Sequence, residues 1–402
     1  MALLSVADAL ARVLEGAAPL PAEDVALADA HRRVLAADLA ALRTQPPDAV
    51  SAMDGYAVRG ADVAQAPARL RVIGEVAAGR PFDGTIGPGE AARIFTGGVL
   101  PSGADTVVIQ ERTARDGACI VVEAPAAAGR NVRARGLDFA EGNILLPAGR
   151  RLSDRDLALA AAMNHPTVPV RRVPRVALLA TGDELVAPGT APTPGQIVYS
   201  NGFALAALAR AQGAQVIDLG IVPDRVEATI AAIDRAAQQR ADILVTTGGA
   251  SVGDYDLVQQ SLAARGMALS FWKVALRPGR PMMHGVLRSM RVLGLPGNPV
   301  SAYVCGFLFL VPLIRRLLGR ADAAPASETA ALGRDLPAND ERTDYLRASL
   351  ARTPSGLVAT PFAVQDSSMV ALLAKADCLL IREPHAPAAP AGSACTIVKF
   401  DR

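Results

Sequence analysis

The chain has 402 residues, 51% of them hydrophobic and 20% charged, with 41 basic against 39 acidic side chains. That length accommodates several domains of roughly 100–200 residues each, and high apolar content at a net charge of +2 excludes a disordered chain. The balanced charge also excludes a broad basic footprint for nucleic acid, so no nucleic-acid partner is expected.

The first segment, MALLSVADALARVLEG, places Leu3, Val6, Leu10, Val13 and Leu14 on one side, the spacing of an amphipathic helix. Asp8, Arg12 and Glu15 interrupt its apolar pattern, so it does not read as a signal peptide, and a cytoplasmic location is expected. A short extended piece completes residues 1–45. From 46 to 139 the texture is of short β-rich runs between glycines and prolines, such as RLRVIGEVAAG, AARIFTGGVL and TVVIQERTARDGACIVVEAP. Within it SAMDGYAV (Ser51–Val58) and IFTGGVLPSGADTVVIQE (Ile94–Glu111) set Asp54 and Thr96 as polar points among apolar neighbours. Asp-Gly is also an ordinary turn signal, and Asp138 in GLDFAEG shares that ambiguity. Residues 140–173 carry a strand-like ILLPAGRRL and a helix opened by Ser153 with Asp156 as a capping pair.

After Pro174 the pattern becomes an alternation of strands and helices, which predicts a parallel sheet with helical crossovers over 174–319. Its strands are VALLAT, QVIDLGIV and DILV; helices are expected from Ser200 and over 223–239. Polar motifs fall at the carboxyl ends of the strands, where ligands bind open parallel sheets. They are TGDEL (Thr181–Leu185), TTGGASVGDYD (Thr246–Asp256) and LGLPGNPVSA (Leu293–Ala302). Gly248, Gly249 and Gly253 let backbone approach an anion, or merely tighten a turn; Asp254 and Asp256 add carboxylates of the kind found at Mg²⁺–phosphate sites. LRPGRP (Leu276–Pro281) sets Arg277 and Arg280 around a tight turn, as a fork for a tetrahedral oxyanion or as a solvated basic turn. In LPGNP, Asn298 stands at a helix cap and Pro299 in its first turn, which fits a structural turn as well as an anion-facing helix start. The apolar run Val300–Ile314 contains Pro312 and is shorter than the ~20 residues of a membrane span, so no membrane segment is expected.

A small-residue linker, ADAAPASETA, precedes a last module over 325–402 whose short strands (YLRASLAR, LVATPF, CLLIREP, CTIVKF) predict a small β barrel or sandwich. His31, His165, His284 and His385 are scattered, and Cys119, Cys305, Cys378 and Cys395 lie far apart, so neither a zinc site nor a disulfide framework is predicted. The fold class is multidomain α/β plus β. The available chemistry is carboxylates, arginines, hydroxyls and glycine loops rather than a nucleophile–histidine pair.

Taken together and in order, SAMDGYAV, IFTGGVLPSGADTVVIQE, ATGDEL, TTGGASVGDYD, LRPGRP and GLPGNPVSA resemble the MoeA family of molybdopterin molybdenumtransferases, relatives of the gephyrin E-domain. The resemblance spans nearly the whole chain. It implies a homodimer with a linker domain (1–45 with 140–173), a β-rich domain (46–139), a molybdopterin-binding α/β domain (174–319) and a C-terminal β domain (325–402). It implies Mg²⁺-dependent insertion of molybdate into adenylylated molybdopterin with release of AMP. It also implies contacts with other molybdenum cofactor biosynthesis proteins and with apo-molybdoenzymes. By the same resemblance Asp54, Thr96, Asp138, Glu184, Asp224 and Asp256 form the catalytic set, with Glu184, Asp54 and Asp256 on the metal. The cleft would join one protomer's α/β domain to the other's β-rich domain. Gly248, Gly249, Ser251, Gly253, Asp254 and the turn Pro296, Gly297, Asn298, Pro299 would line the pterin-phosphate site, and Arg277, Arg280, Arg342 and Ser368 the oxyanion pocket. The family usually has Lys in the PGKP turn, where this chain has Arg280. Two alternatives are a molybdopterin adenylyltransferase, whose single domain resembles 174–319, and a catalytically silent scaffold of the same fold.

Overall fold

A computed structural model describes residues 3–77, 79–248 and 257–400. The first helix, Val6–Leu14, is capped by the Ser5 side chain, which accepts from the Asp8 amide. Its buried face (Ala9, Val13) does not join the core of the segments next to it in sequence. It packs instead with Val176, Val274 and Leu313 of the α/β region, and Leu4 bridges to Val274. The pieces on either side of the β-rich region interleave. Ala22–Ala26 pairs antiparallel with Thr167–Arg171, and Leu39–Ala40 with Ile144–Leu146. Over them lies the helix Asp154–Ala162, where Ser153 and Asp156 form a complete capping box as the sequence predicted. Leu35, Leu146, Leu152, Met163 and Val170 fill the core between them.

The β-rich region is a six-stranded sheet in the order Thr106–Ile109, Gly55–Val58, Glu90–Ile94, Ala68–Val76, Cys119–Val122, Thr113–Asp116. Apolar side chains alternate to both of its faces, giving one core around Val58, Val108 and Ile120 and another around Ala57, Val76 and Ile94.

The α/β region builds a second six-stranded sheet in the order Gln215–Val222, Arg175–Thr181, Ile243–Thr247, Met290–Leu295, Met283–Leu287, Ala268–Trp272. The first four strands run parallel, and the last two join by antiparallel pairings, Met283–Leu287 running against the others and Ala268–Trp272 against Met283–Leu287. These last two strands were not legible from the sequence, because one lies in a mixed FW-containing stretch and the other pairs through the tight Arg288–Ser289 turn. Central strands are buried on both faces, which is why they read as unbroken apolar runs. Helices Asn201–Ala211, Val226–Gln238 and Leu257–Ala264 supply the crossovers.

The helix after LPGNP runs from Pro299 to Leu317, longer than the apolar run that the sequence bounded at Ile314. Pro312 has no N–H to donate and would press on the carbonyl four residues back; a π turn at Gly306–Leu310 opens the ladder there, and the helix continues. Among the described residues this is the one helix long and apolar enough to cross a membrane, and 89% of its most apolar window is buried within the chain.

In the C-terminal region, strands Thr343–Thr353, Gly356–Pro361, Ser327–Leu332, Ala394–Lys399 and Cys378–Arg382 close into a ring through the additional pairing of the first with the last. The result is a small barrel with Ala348, Ala359, Leu380 and Ile397 inside. The two-residue strand Leu276–Arg277 adds to its edge, so the LRPGRP turn is held against the barrel. All four cysteines are free.

Candidate active site

The carboxyl ends of the parallel strands open into a cleft of about 620 Å³. The register explains the convergence: Thr181, Thr247 and Leu295 end adjacent parallel strands, so the turns that follow them meet on one side of the sheet. Of the expected residues, Glu184, Gly248, Pro296, Gly297, Asn298, Pro299 and Ser368 line this cleft. Gly248 sits at φ +87°, and a Cβ there would overlap the backbone carbonyl oxygen of Thr181, so the turn is specific to glycine. A Cβ on Gly297 would lie 3.8 Å from the Gly248 Cα, which shows how closely the two turns approach. The Thr181 hydroxyl is buried and has no hydrogen-bond partner among the described residues. A buried, unsatisfied hydroxyl on the wall of a polar cleft is placed to meet a ligand oxygen. Glu184 is exposed within the cleft.

Residues not anticipated also line it: Ile197, Val198, Tyr199, Ser200, Asn201 and Val370. The sequence marked a helix start at Ser200 but gave that start no role. Asn201 donates from Nδ2 to the Gly297 carbonyl at 2.7 Å, tying its helix to the LPGNP turn. Burial pushes the Tyr199 phenol above its ordinary 10.0, with the Asp218 charge adding to it, so the ring carries a proton at neutral pH. Gly202 lets that ring tuck in, since a Cβ there would overlap the Tyr199 hydroxyl.

Other expectations change. Asn298 occupies the cap position but does not cap; its amide donates to Ser367 Oγ at 3.0 Å. The Val300 N–H, which would face an anion at an open helix start, donates to the Ser367 carbonyl at 3.0 Å. The C-terminal region thus docks on this helix terminus. Arg347, 1% exposed, donates to the Asp366 carbonyl at 2.9 Å, and Asp366 Oδ1 accepts from the Ser368 amide and hydroxyl at 2.8 and 2.6 Å.

The residues expected to form an oxyanion pocket are not a set of open guanidiniums. Arg277 is ion-paired with Asp344 and with Asp340 (2.8 Å), and also donates to Asn339; Arg342 pairs with Asp340 at 3.0 Å. Two carboxylates neutralise two guanidiniums, because the strand pairing of Leu276–Arg277 with Thr343–Asp344 brings Asp344 beside the turn. Arg280 is exposed and has no side-chain partner among the described residues, beside Pro281 on the cleft wall. Arg342, through its ion pair, and then Arg277 hold the Asp340 carboxyl below its ordinary 3.8. A depressed carboxylate contributes stability that is present above the unfolded value and is lost as pH falls through the folded one. Arg342→Ala, which removes the main cause, is therefore expected to destabilise the chain by up to about 1 kcal/mol at pH 7, the scale of a partly exposed pair. That difference should narrow below about pH 3.8, as urea denaturation at several pH values would show.

Asp224 does not line the cleft. It accepts from the Asp183 amide at 3.4 Å, and Asp183 accepts from the Asp224 amide at 3.2 Å, a reciprocal clamp between two strand-end loops. In the β-rich region Asp54 Oδ1 accepts from the Thr96 amide at 2.7 Å and its hydroxyl at 2.8 Å. Those bonds, the amide's first, hold the Asp54 carboxyl below 3.8. Asp138 is exposed, and its amide donates to Gln45. Among the described residues lining the cleft, none comes from 46–139, so Asp54, Thr96 and Asp138 do not meet Glu184 within one chain. Gly249, Ser251, Gly253, Asp254 and Asp256 lie outside the described residues. Among the described residues no group of three His, Cys, Asp or Glu side chains converges.

Three family models match in succession: the MoeA N-terminal region (domain I and II) over 4–164, the probable molybdopterin binding domain over 177–316, and the MoeA C-terminal region (domain IV) over 329–400. A molybdopterin molybdenumtransferase of Nostoc is 41% identical over 82% of this chain and 77% of its own length. That of Haemophilus influenzae is 34% identical over 99% of both chains. The crystal structure of a molybdopterin biosynthesis MoeA protein from Pyrococcus horikosii superposes with a TM-score of 0.87 over all of both chains at 31% identity. With motif order, architecture and full-length similarity in agreement, the chain belongs to the molybdopterin molybdenumtransferase (MoeA) family.

Proposed function

We propose that this protein inserts molybdate into adenylylated molybdopterin with release of AMP, as a Mg²⁺-dependent cytoplasmic homodimer. The observation that carries the reading is the cleft in which Thr181, Glu184, Gly248 and the Pro296–Pro299 turn converge beside Ser368. Its donors are hydroxyls, backbone and one carboxylate, the hard oxygen set that suits Mg²⁺ shared with substrate phosphates. Glu184, Asp54 of the second protomer and Asp256 would hold that ion, which when bound neutralises phosphate oxygens. Thr181 and the Gly248 turn would bind the phosphate, and Tyr199 and Asn201 would orient the pterin-bearing end. Arg280, left open where Arg277 and Arg342 are neutralised, would attract molybdate next to Ser368. The dimer is supported by the separation of Asp54 and Thr96 from Glu184 within one chain.

An adenylyltransferase reading is disfavoured by the MoeA-type regions matched on both sides of the α/β region and by the Ser367 latch that builds the C-terminal region into the cleft. A silent scaffold is disfavoured by the open Glu184 carboxylate and the unsatisfied Thr181 hydroxyl. Purified protein given adenylylated molybdopterin, Mg²⁺ and molybdate is expected to release AMP and yield cofactor that activates an apo-molybdoenzyme. No molybdate-dependent AMP release above a protein-free background overturns the enzyme reading. Repeating the assay with tungstate, with wild type and Arg280→Lys, tests whether the arginine in the PGKP-like turn alters oxyanion choice.

A further inference from the structure

A second cavity, of about 520 Å³, lies at the opposite end of the same sheet. Arg175 begins one parallel strand, Asp242 precedes the next, and Ser289 precedes Met290, which begins the third, so this cavity sits at the amino ends. A seven-residue strand puts it on the order of 20 Å from the cleft. Five arginines line it (Arg172, Arg175, Arg240, Arg265, Arg288) against two carboxylates, Asp234 and Asp242.

The carboxylates are already used. Asp242 accepts from both terminal nitrogens of Arg172 (3.1 and 2.7 Å) and from the Arg175 amide, and Asp234 pairs with Arg265 at 2.5 Å. Arg175 reaches the Gln239 carbonyl at only 3.4 Å. The guanidiniums of Arg240 and Arg288 have no partner among the described residues. Like charges around one cavity raise its potential, which an anion relieves. Both residues sit at positive φ, 54° and 58°, where glycine or asparagine would be easier. Apart from Ser289 the remaining lining (Ile233, Ala237, Ala241, Leu287, Met290) is apolar, a floor that suits a ligand with an apolar body better than a bare ion.

We propose that this cavity binds a phosphorylated small molecule of nucleotide size, its phosphates on Arg240, Arg288 and Arg175 and its apolar body on the Ile233–Met290 floor. Calorimetric titration with ATP in the absence of Mg²⁺ tests it, alongside pyrophosphate and adenosine. Saturable ATP binding is expected, at least roughly tenfold tighter than either fragment and weakened by added salt. The double variant Arg240→Asn/Arg288→Asn, which keeps residues that tolerate positive φ, should lose at least roughly tenfold in affinity with its thermal midpoint unchanged. Glu184→Gln, in the other cleft, should leave this binding intact. Failure of wild type to bind ATP, pyrophosphate binding as tightly as ATP, or undiminished binding by the double variant overturns the proposal. The result is independent of molybdate insertion, which the double variant should retain.

Discussion

Replacing Glu184 with glutamine is expected to reduce molybdate-dependent AMP release at least about 100-fold, the scale of losing a charged group that acts at the reacting centre. The side chain is exposed, so the thermal midpoint should not move. Asp54→Asn should be comparably inactive, since its carboxylate is held ionised by two bonds from Thr96. Mixing the two inactive variants after subunit exchange then tests the shared cleft. If each active centre draws Asp54 and Glu184 from different protomers, a mixed dimer contains one intact centre, and random exchange should restore about a quarter of wild-type activity. Recovery near zero, in a preparation shown to exchange subunits, would overturn the two-protomer arrangement while leaving the assignment of Glu184 standing.

The second large effect is expected at Gly248. Gly248→Ala meets two costs at once: a left-handed φ of +87° and overlap with the Thr181 carbonyl, which is backbone and can yield only by moving a strand end. The conformational part costs about 1–2 kcal/mol; the displaced strand end would spread to Thr181, Glu184 and the Gly297 turn. A loss of at least about 100-fold in kcat/KM together with a lower thermal midpoint is expected, because misplacing binding groups by an ångström has that effect on rate. Gly392→Ala is the control, with φ +87° but open space around the Cβ. It should show the conformational cost alone and full activity. Equal activity losses in the two variants would mean that the close approach to Thr181 does not shape the cleft.

Much of this molecule follows from local signals. The parallel strands announce themselves because burial on both faces forces continuous apolar runs, and Ser153 with Asp156 marks its helix because capping is settled within four residues. Glycine and proline at strand ends pointed to the cleft for the same reason, since a turn that must bring backbone close to backbone or ligand restricts its residues severely. Tyr199, Ser200 and Asn201 carried no such signature: they follow the short strand Ile197–Val198, whose separate pairing with Leu185–Val186, just after Glu184, carries them to the cleft.

The arginines show the limit most clearly. Arg277 and Arg280 are equivalent in sequence, two cations flanking one Pro-Gly turn. Only the pairing of Leu276–Arg277 with Thr343–Asp344 decides that Arg277 is neutralised while Arg280 remains open. The same holds for Asn298, whose cap role passes to Ser367, 69 residues away. By itself the sequence determined the buried parallel strands, the capped helices and the glycine turns, and from their order the family, because those choices depend on neighbours within a few residues. Tertiary structure alone decided which charges are paired and which modules meet at the cleft. It also gathered arginines from four separate segments at the far end of the sheet, because electrostatic partnership depends on distance in space and the chain brings distant residues together only when its cores pack.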